Sequence, residues 1–182
     1  RGINALDYVD PELKGRVLEK VIPMKGRMIH KLDGEQESQL YDSEGRCINS
    51  IDRSYLNELL LDELDKVGIV VKFGHKLNKM KILDDKTRLF FETRDSPVEI
   101  DSDFVVGADG SFSKVRSELQ KYIRMDYSQE YVDCAYLELS IDSDVNNGFK
   151  LDKNHLHIWP RHNFMLIALP NLDGSFTSTF FA

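Results

Sequence analysis

The chain has 182 residues, of which 41% are hydrophobic, so it can bury a core and is not globally disordered. Lys and Arg number 24 against 31 Asp and Glu, and the net charge of −7 without any basic stripe argues against a nucleic-acid partner. Cys47 and Cys134 are far apart and form no CxxC pair, which favours reduced thiols over a disulfide framework or a zinc site. The longest apolar runs, such as Phe164–Leu169, have the length of a strand and not of a membrane helix.

The first third of the chain is predicted to form a helix, a β-hairpin and a second helix. Pro11 in a first helical turn predicts a helix over Glu12–Val21. Two mixed apolar and polar segments separated by an Asp-Gly turn predict a β-hairpin over Gly26–Asp42. Leucines spaced i, i+3, i+4 and i+8 after Asp52 predict an amphipathic helix that ends at Gly68.

The remainder of the chain is dominated by strand patterns. A helix is expected over Ser113–Tyr122 and a polar loop over Asp142–Asn154. The last strands look antiparallel, so the pattern indicates α/β structure first and antiparallel β structure towards the end. Strands are expected at Ile69–Phe73, on both sides of Asp84-Asp85, and at Val98–Ile100, Asp103–Gly110, Tyr136–Ile141, His155–Trp159 and Phe164–Leu169.

The segment FVVGADGSFSKVR has the pattern of a strand, a glycine turn and a helix start. Backbone N–H groups at such a turn favour an anion, and Gly107 and Gly110 would let the backbone approach a ligand. Asp109 would either accept a hydrogen bond from a ribose hydroxyl or hold neighbouring amides. Ser113 would cap the helix, and Arg116 could reach a phosphate or carboxylate. The alternative is an ordinary turn followed by a capped helix.

This segment resembles the second fingerprint of the FAD-dependent aromatic hydroxylases, and IDRSYLNELLLDEL resembles their Arg-containing helix. The resemblance implies an α/β fold: part of a Rossmann-like FAD-binding domain together with an antiparallel β-sheet substrate domain. It implies that Asp109 and Gly110 lie near the FAD pyrophosphate, that Arg53 faces FAD, and that Leu77 lines the adenine end.

A narrower resemblance, carried by IPMKGRMIH, DYSQEY and HLHIWPRHNFMLIALPN, is to the fungal members of this family that hydroxylate L-kynurenine. It implies that Arg27 and Tyr41, on facing strands of the hairpin, grip the substrate's amino-acid carboxylate. A guanidinium suits this task because it can bind a carboxylate through two parallel hydrogen bonds. Without the resemblance, a surface arginine and a half-buried tyrosine would be the simpler interpretation.

An apolar wall for the aromatic ring is expected on the last strands. Alternate residues of one strand share a face of the sheet, and a pocket wall and a plain core face have the same sequence signature. The resemblance implies that the wall consists of Leu156, Met165, Ile167, Leu169 and Phe181.

The chemistry implied is hydroxylation of L-kynurenine to 3-hydroxykynurenine, with NADPH reducing FAD and O₂ supplying oxygen through a flavin hydroperoxide. No acid–base residue is expected in this chain, and the pair His155 and His157 does not suffice for a metal site. Two alternatives remain: another flavin hydroxylase acting on a phenolic acid, or a non-catalytic fragment of such an enzyme.

The domain organisation expected from the resemblance is partial. Residues 1–128 would be part of the FAD-binding domain, with 26–42 as the substrate-gripping hairpin, and residues 129–182 would start the substrate-binding sheet. The family's first GxGxxG strand and its C-terminal region have no counterpart in the sequence, so an internal fragment is expected. The resemblance places the parent enzyme at the mitochondrial outer membrane, attached through that C-terminal region, with no membrane contact from this segment.

Overall fold

A computed structural model of the chain describes residues 2–182. The chain forms two compact units, one built from the chain up to Val67 together with Tyr131–Ala182, the other from Gly68–Glu130. In chain order, the elements are α1 Gly2–Val9, α2 Pro11–Leu18, β1 Ile22–Met24, β2 Gly26–His30, β3 Gln36–Leu40, β4 Ile48–Ser50, α3 Arg53–Lys66, β5 Lys76–Ile82, β6 Thr87–Glu92, β7 Val98–Ser102, α4 Lys114–Leu119, β8 Tyr136–Ile141, β9 His155–Arg161, β10 Phe164–Pro170 and β11 Phe176–Phe181.

Two helices of the first unit, α2 and α3, begin at aspartate caps. The Asp10 carboxylate accepts a hydrogen bond from the Glu12 N–H at 2.9 Å, so α2 begins at Pro11 and ends at Leu18, three residues before the predicted end. Asp52 caps α3 in the same way, accepting from the Tyr55 N–H at 2.8 Å. The predicted leucine stripe of α3 is half-buried or exposed, and no residue of this helix is fully buried.

Six strands of the first unit form one sheet in the order β3-β2-β9-β10-β11-β8. The predicted hairpin is confirmed, because β2 and β3 pair antiparallel, and so is the antiparallel pairing of β9 with β10. The sequence did not predict that β2 pairs in parallel with β9. This pairing makes the hairpin and the C-terminal strands a single sheet.

The core of the first unit lies on one face of this sheet. On that face Ala168 and Phe176 are completely buried, and His157 and Ser178 are each 1% exposed. His30 and Trp159 stack here with ring centroids 4.1 Å apart. The opposite face carries half-buried and exposed side chains, so it is open to a further layer or to a ligand.

The second unit is a three-stranded antiparallel sheet, β5-β6-β7, with α4 docked on β5. The docking contact is the Glu118 carboxylate, which is 2% exposed and accepts from the Met80 N–H at 3.4 Å. The ammonium groups of Lys121 and Lys114 lie 2.7 and 3.0 Å from the same carboxylate. A buried carboxylate is tolerated here because it is paired and hydrogen-bonded.

Two predicted strands are wrong. Neither Ile69–Phe73 nor Asp103–Gly110 pairs with any segment of residues 2–182, and both lack strand structure. Their apolar side chains are exposed, with Phe73 at 73% and Phe104 at 82%. An apolar run becomes a strand only where a neighbour accepts and donates its ladder hydrogen bonds.

No helix in the described part of the chain is long and apolar enough to cross a membrane.

Candidate functional site

The open face of the six-stranded sheet gathers the residues expected to bind a substrate. Arg27 on β2 lies directly opposite Leu156 on β9. Directly paired residues share a face, and alternate residues of a strand return to it. Through the register of β9, β10 and β11 the same face carries the wall residues Leu156, Met165, Ile167, Leu169 and Phe181. The sequence alone could not place Arg27 beside this wall, because the parallel pairing of β2 with β9 does so.

The wall is half-buried along its length, in contrast to the core face behind it. Ile167 lies at its centre, between Ile158 on β9 and Thr179 on β11. At one end, Met165 and Phe181 line a depression of about 310 Å³. A half-buried apolar sheet face of this kind suits a ligand-binding wall and a plain packing face equally.

The guanidinium of Arg27 makes one hydrogen bond within the described residues. Its Nε donates to the Gln39 Oε1 at 2.9 Å, and Gln39 lies directly opposite on β3. Neither Nη atom has a hydrogen-bond partner among residues 2–182. The two outer nitrogens therefore remain available for a planar anion such as a carboxylate.

Tyr41 follows β3 and continues the face of Gln39, two residues earlier, with its N–H donating to the Lys25 carbonyl at 3.0 Å. Burial raises the pKa of the Tyr41 phenol, and the positive charge of Arg27 opposes that rise. Within residues 2–182 the Tyr41 hydroxyl has no partner, so it too can bind a ligand.

Gln39 is a residue that sequence reasoning missed. It is half-buried, whereas the other residues of β3 are exposed. The signal that could have found it is strand alternation, since Gln39 and Tyr41 must share a face if the hairpin is real.

Arg53 is the first residue of α3, and its side chain is 91% exposed. Its guanidinium lies 3.9 Å from the Glu138 carboxylate on β8, a long and solvated ion pair. The register places Glu138 opposite Thr179, on the open sheet face. A cleft of about 440 Å³ beside this helix start is lined by Asp52 and Glu138, among others.

In the second unit, Asp109 performs the second of its two expected tasks. Its carboxylate accepts from the N–H groups of Lys114 at 2.6 Å and Val115 at 3.1 Å. It also accepts from the Ser113 hydroxyl, which in turn caps α4 by accepting from the Arg116 N–H at 3.0 Å. These bonds, the Ser113 hydroxyl first, hold the pKa of Asp109 below its ordinary value. Asp109 therefore holds the start of α4 in place through its carboxylate oxygens.

The two glycines of this turn are required for reasons other than the expected ligand approach. Gly110 has φ +78°, a left-handed conformation that other residues rarely adopt. A Cβ at Gly107 would lie 2.9 Å from the Val115 side chain, so this glycine is needed for packing within the unit. The turn shape thus follows from the unit's own packing, whatever it binds.

Two further predicted site residues of the second unit, Arg116 and Leu77, contact other residues of that unit. The Arg116 guanidinium, expected to be a free fork, bonds instead to the Ser111 carbonyl and, at 3.0 Å, to the Tyr127 hydroxyl. Leu77 is half-buried on β5 opposite Phe91, beside a register irregularity of the sheet.

The histidine pair forms a structural network. His157 Nε2 donates to the Asp152 carbonyl at 2.8 Å, and its Nδ1 lies 2.8 Å from the His30 Nε2. His155 bonds the Asp152 carboxylate at 2.7 Å. No group of three metal-binding side chains occurs in the part of the chain that the structure describes.

Comparison with curated proteins finds relatives that match this chain over its whole length. A protein named kynurenine 3-monooxygenase from Candida albicans is 58% identical, and one of the same name from Saccharomyces cerevisiae is 52% identical. Each match covers 100% of this chain but 41% of the relative. The chain therefore spans about two fifths of the length of the curated relatives it matches.

Solved structures share the fold at low sequence identity. The p-nitrophenol 4-monooxygenase PnpA from Pseudomonas putida superposes with a TM-score of 0.77 at 12% identity, covering 99% of this chain and 45% of that one. HpxO from Klebsiella pneumoniae, solved with FAD and uric acid, gives 0.70 at 17% identity, covering 100% and 45%. The predicted fold class is confirmed: the chain has mixed α/β structure with antiparallel sheets and shares its fold with these two proteins.

A family model also matches most of the chain, and its description is "FAD binding domain". The match runs over residues 13–174, which takes in the hairpin, α3, the Asp109 turn and most of the wall. The chain belongs to this FAD binding domain family.

Proposed function

We propose that the protein carrying this chain is an FAD-dependent monooxygenase that hydroxylates L-kynurenine to 3-hydroxykynurenine, consuming NADPH and O₂. The relatives named kynurenine 3-monooxygenase, at 52–58% identity, support the activity. The single observation from the structure that carries the proposal is the pairing of Arg27 with Leu156, which sets a cation beside an apolar wall on one sheet face.

L-kynurenine has the two parts that this face can receive. Its amino-acid carboxylate would bind the free outer nitrogens of Arg27 and the hydroxyl of Tyr41, since both groups are hydrogen-bond donors without a protein partner in residues 2–182. Its aromatic ring would lie against the wall of Leu156, Met165, Ile167, Leu169 and Phe181. The wall would exclude water, and the arginine would fix the ring position through the carboxylate.

The residues proposed to hold FAD fit an anionic, hydroxyl-rich ligand. Arg53 has an exposed guanidinium with one weak ion pair, so it is free to bind a phosphate. Asp109 orders the amides at the start of α4, and Gly110 gives the turn its shape; Leu77 would contact the adenine end. When bound, FAD supplies the oxygen-transfer chemistry, and this chain positions the substrate and keeps its ring dry.

Two broader parts of the proposal concern the whole protein. Residues 1–128 would contribute to the FAD-binding domain, including the hairpin 26–42, and residues 129–182 would start the substrate sheet. The protein would be located at the mitochondrial outer membrane, attached through a region outside this chain.

The proposal is tested by product analysis on the full-length protein with FAD and NADPH, offering L-kynurenine and, separately, a set of phenolic acids. The expected result is formation of 3-hydroxykynurenine and no hydroxylated phenolic acid. Hydroxylation of a phenolic acid with L-kynurenine left intact would replace the substrate assignment. A product from neither, in a sample that retains FAD, would reject the activity.

A further inference from the structure

We infer that Gln39 is a positioning residue for the substrate carboxylate: it fixes the Arg27 guanidinium through Nε and directs both Nη nitrogens towards the ligand. The inference rests on the proposed function, because it assigns a role within the same binding face. The contact that carries it is the 2.9 Å bond from Arg27 Nε to Gln39 Oε1.

The orientation of the Gln39 amide is determined by its two neighbours. Arg27 Nε can only donate, so it must meet the amide oxygen. The Gln39 Nε2 donates at 2.9 Å to the Glu37 Oε1, which can only accept. The Lys31 ammonium lies 3.6 Å from the other Glu37 oxygen, at the far end of this chain of contacts.

This chain of contacts fixes the side chain of Arg27, which is exposed to solvent. An exposed arginine loses rotamer entropy when it is immobilised. Gln39 lies directly opposite Arg27 in the hairpin register and is half-buried, so it can hold the guanidinium before a ligand arrives. Preorganisation of this kind strengthens binding by removing an ordering cost.

The neutrality of Gln39 matters as much as its hydrogen bond. A carboxylate at this position would pair with Arg27 and compete with the carboxylate of the substrate. It would also lie next to Glu37, which Gln39 now contacts as a donor. An amide satisfies both neighbours without neutralising the cation.

The test is a double-mutant cycle in the full-length protein, with KM and kcat measured for L-kynurenine. Gln39→Met keeps the side-chain length and removes both hydrogen bonds, and Gln36→Met on the exposed opposite face of β3 is the matched control. Loss of one hydrogen bond predicts a KM increase of roughly 2- to 12-fold for Gln39→Met, with kcat changed less than about twofold. Gln39→Glu is expected to raise KM further, and Gln36→Met to leave it unchanged.

The Arg27→Ala background separates positioning from a general structural effect. If Gln39 acts through Arg27, adding Gln39→Met to Arg27→Ala changes KM less than about twofold. An equal KM increase with and without Arg27, or no increase in the single variant, overturns the inference while the proposed function stands. Failure of the unmutated protein to hydroxylate L-kynurenine overturns both.

Discussion

Arg27 on β2 and Leu156 on β9 are direct neighbours in a parallel strand pair, and their side chains lie on the same open sheet face. The pair joins a hairpin from early in the chain to strands from its end. A parallel pair of this kind holds a charged group and an apolar surface at a fixed spacing of about 4.8 Å between strands. An amphipathic substrate can therefore be oriented by the sheet itself.

Arg27→Ala tests the charged end of this face. Because the outer guanidinium nitrogens are proposed to bind the carboxylate, we expect KM for L-kynurenine to rise roughly 10- to 150-fold, as for a lost hydrogen bond to a charged group. Flavin content should stay unchanged. The measurement is steady-state NADPH oxidation with flavin absorbance on the same sample.

Arg94→Ala, an exposed arginine in the second unit, is the control for removing a positive charge. It should leave KM unchanged. If Arg27→Ala releases the flavin and keeps the substrate affinity, the assignment of Arg27 to the substrate is incorrect.

The two faces of β10 should respond differently to truncation. Ile167 lies on the open face and Leu166, its chain neighbour, on the opposite face. Ile167→Ala is expected to raise KM for L-kynurenine at least about tenfold, because each lost methylene of a hydrophobic pocket weakens binding. Leu166→Ala should lower the melting temperature with KM nearly unchanged. Equal KM values in the two variants would show that the wall is plain sheet core.

Arg53→Ala is predicted to weaken FAD binding and to leave substrate binding unchanged, the reverse of the effects expected for Arg27→Ala. Loss of an exposed cation proposed to bind a phosphate of FAD should raise the FAD dissociation constant roughly 10- to 100-fold, while KM for L-kynurenine at saturating FAD changes little. Flavin fluorescence titration of the apoprotein measures this. Lys66→Ala, at the other end of α3, is the matched control and should bind FAD normally. Normal FAD affinity in Arg53→Ala would remove this residue from the cofactor site.

The pH dependence of the second unit should follow Glu118. The Lys121 ammonium and the other bonds to this carboxylate lower the pKa of Glu118 to about 2 from an ordinary 4.5. A lowered folded-state pKa stabilises the unit above about pH 4.5, and this stabilisation is lost as the pH falls from about 4.5 towards 2. In hydrogen exchange, the protection factor of the Met80 amide, which donates to Glu118, should therefore fall over that range.

Glu118→Gln provides the comparison for this measurement. In this variant the free energy of opening at neutral pH should be lower by about 1–3 kcal/mol. Most of the pH dependence of hydrogen exchange at the Met80 amide should also be lost. Glu99→Gln, at an exposed position of β7, should behave like the unmutated protein. Unchanged acid dependence in Glu118→Gln would assign the titration to another carboxylate.

The sequence predicted those elements whose signal is local. The strand Tyr136–Ile141 is found with its predicted bounds, and the helix predicted after Asp52 begins at Arg53. Both signals, the strand pattern and the helical spacing of leucines, are contained in a few neighbouring residues. The hairpin was predicted for the same reason, because its turn residues adjoin its strands.

Features that depend on distant partners could not be predicted from patterns. Asp103–Gly110 has the apolar pattern of a buried strand, but a strand also needs a neighbour, and none of residues 2–182 pairs with it. The parallel contact of β2 with β9 joins residues more than a hundred positions apart and leaves no local signal. Gln39 was missed because its importance comes from the residues it contacts.

The most direct test of the whole account is NADPH oxidation by the full-length protein with FAD, before and after addition of L-kynurenine. The account predicts that L-kynurenine stimulates NADPH oxidation and that 3-hydroxykynurenine accumulates in proportion. A flavin-loaded sample whose NADPH oxidation does not respond to L-kynurenine, and which forms no 3-hydroxykynurenine, would contradict the central claim that this sheet face binds that substrate for hydroxylation.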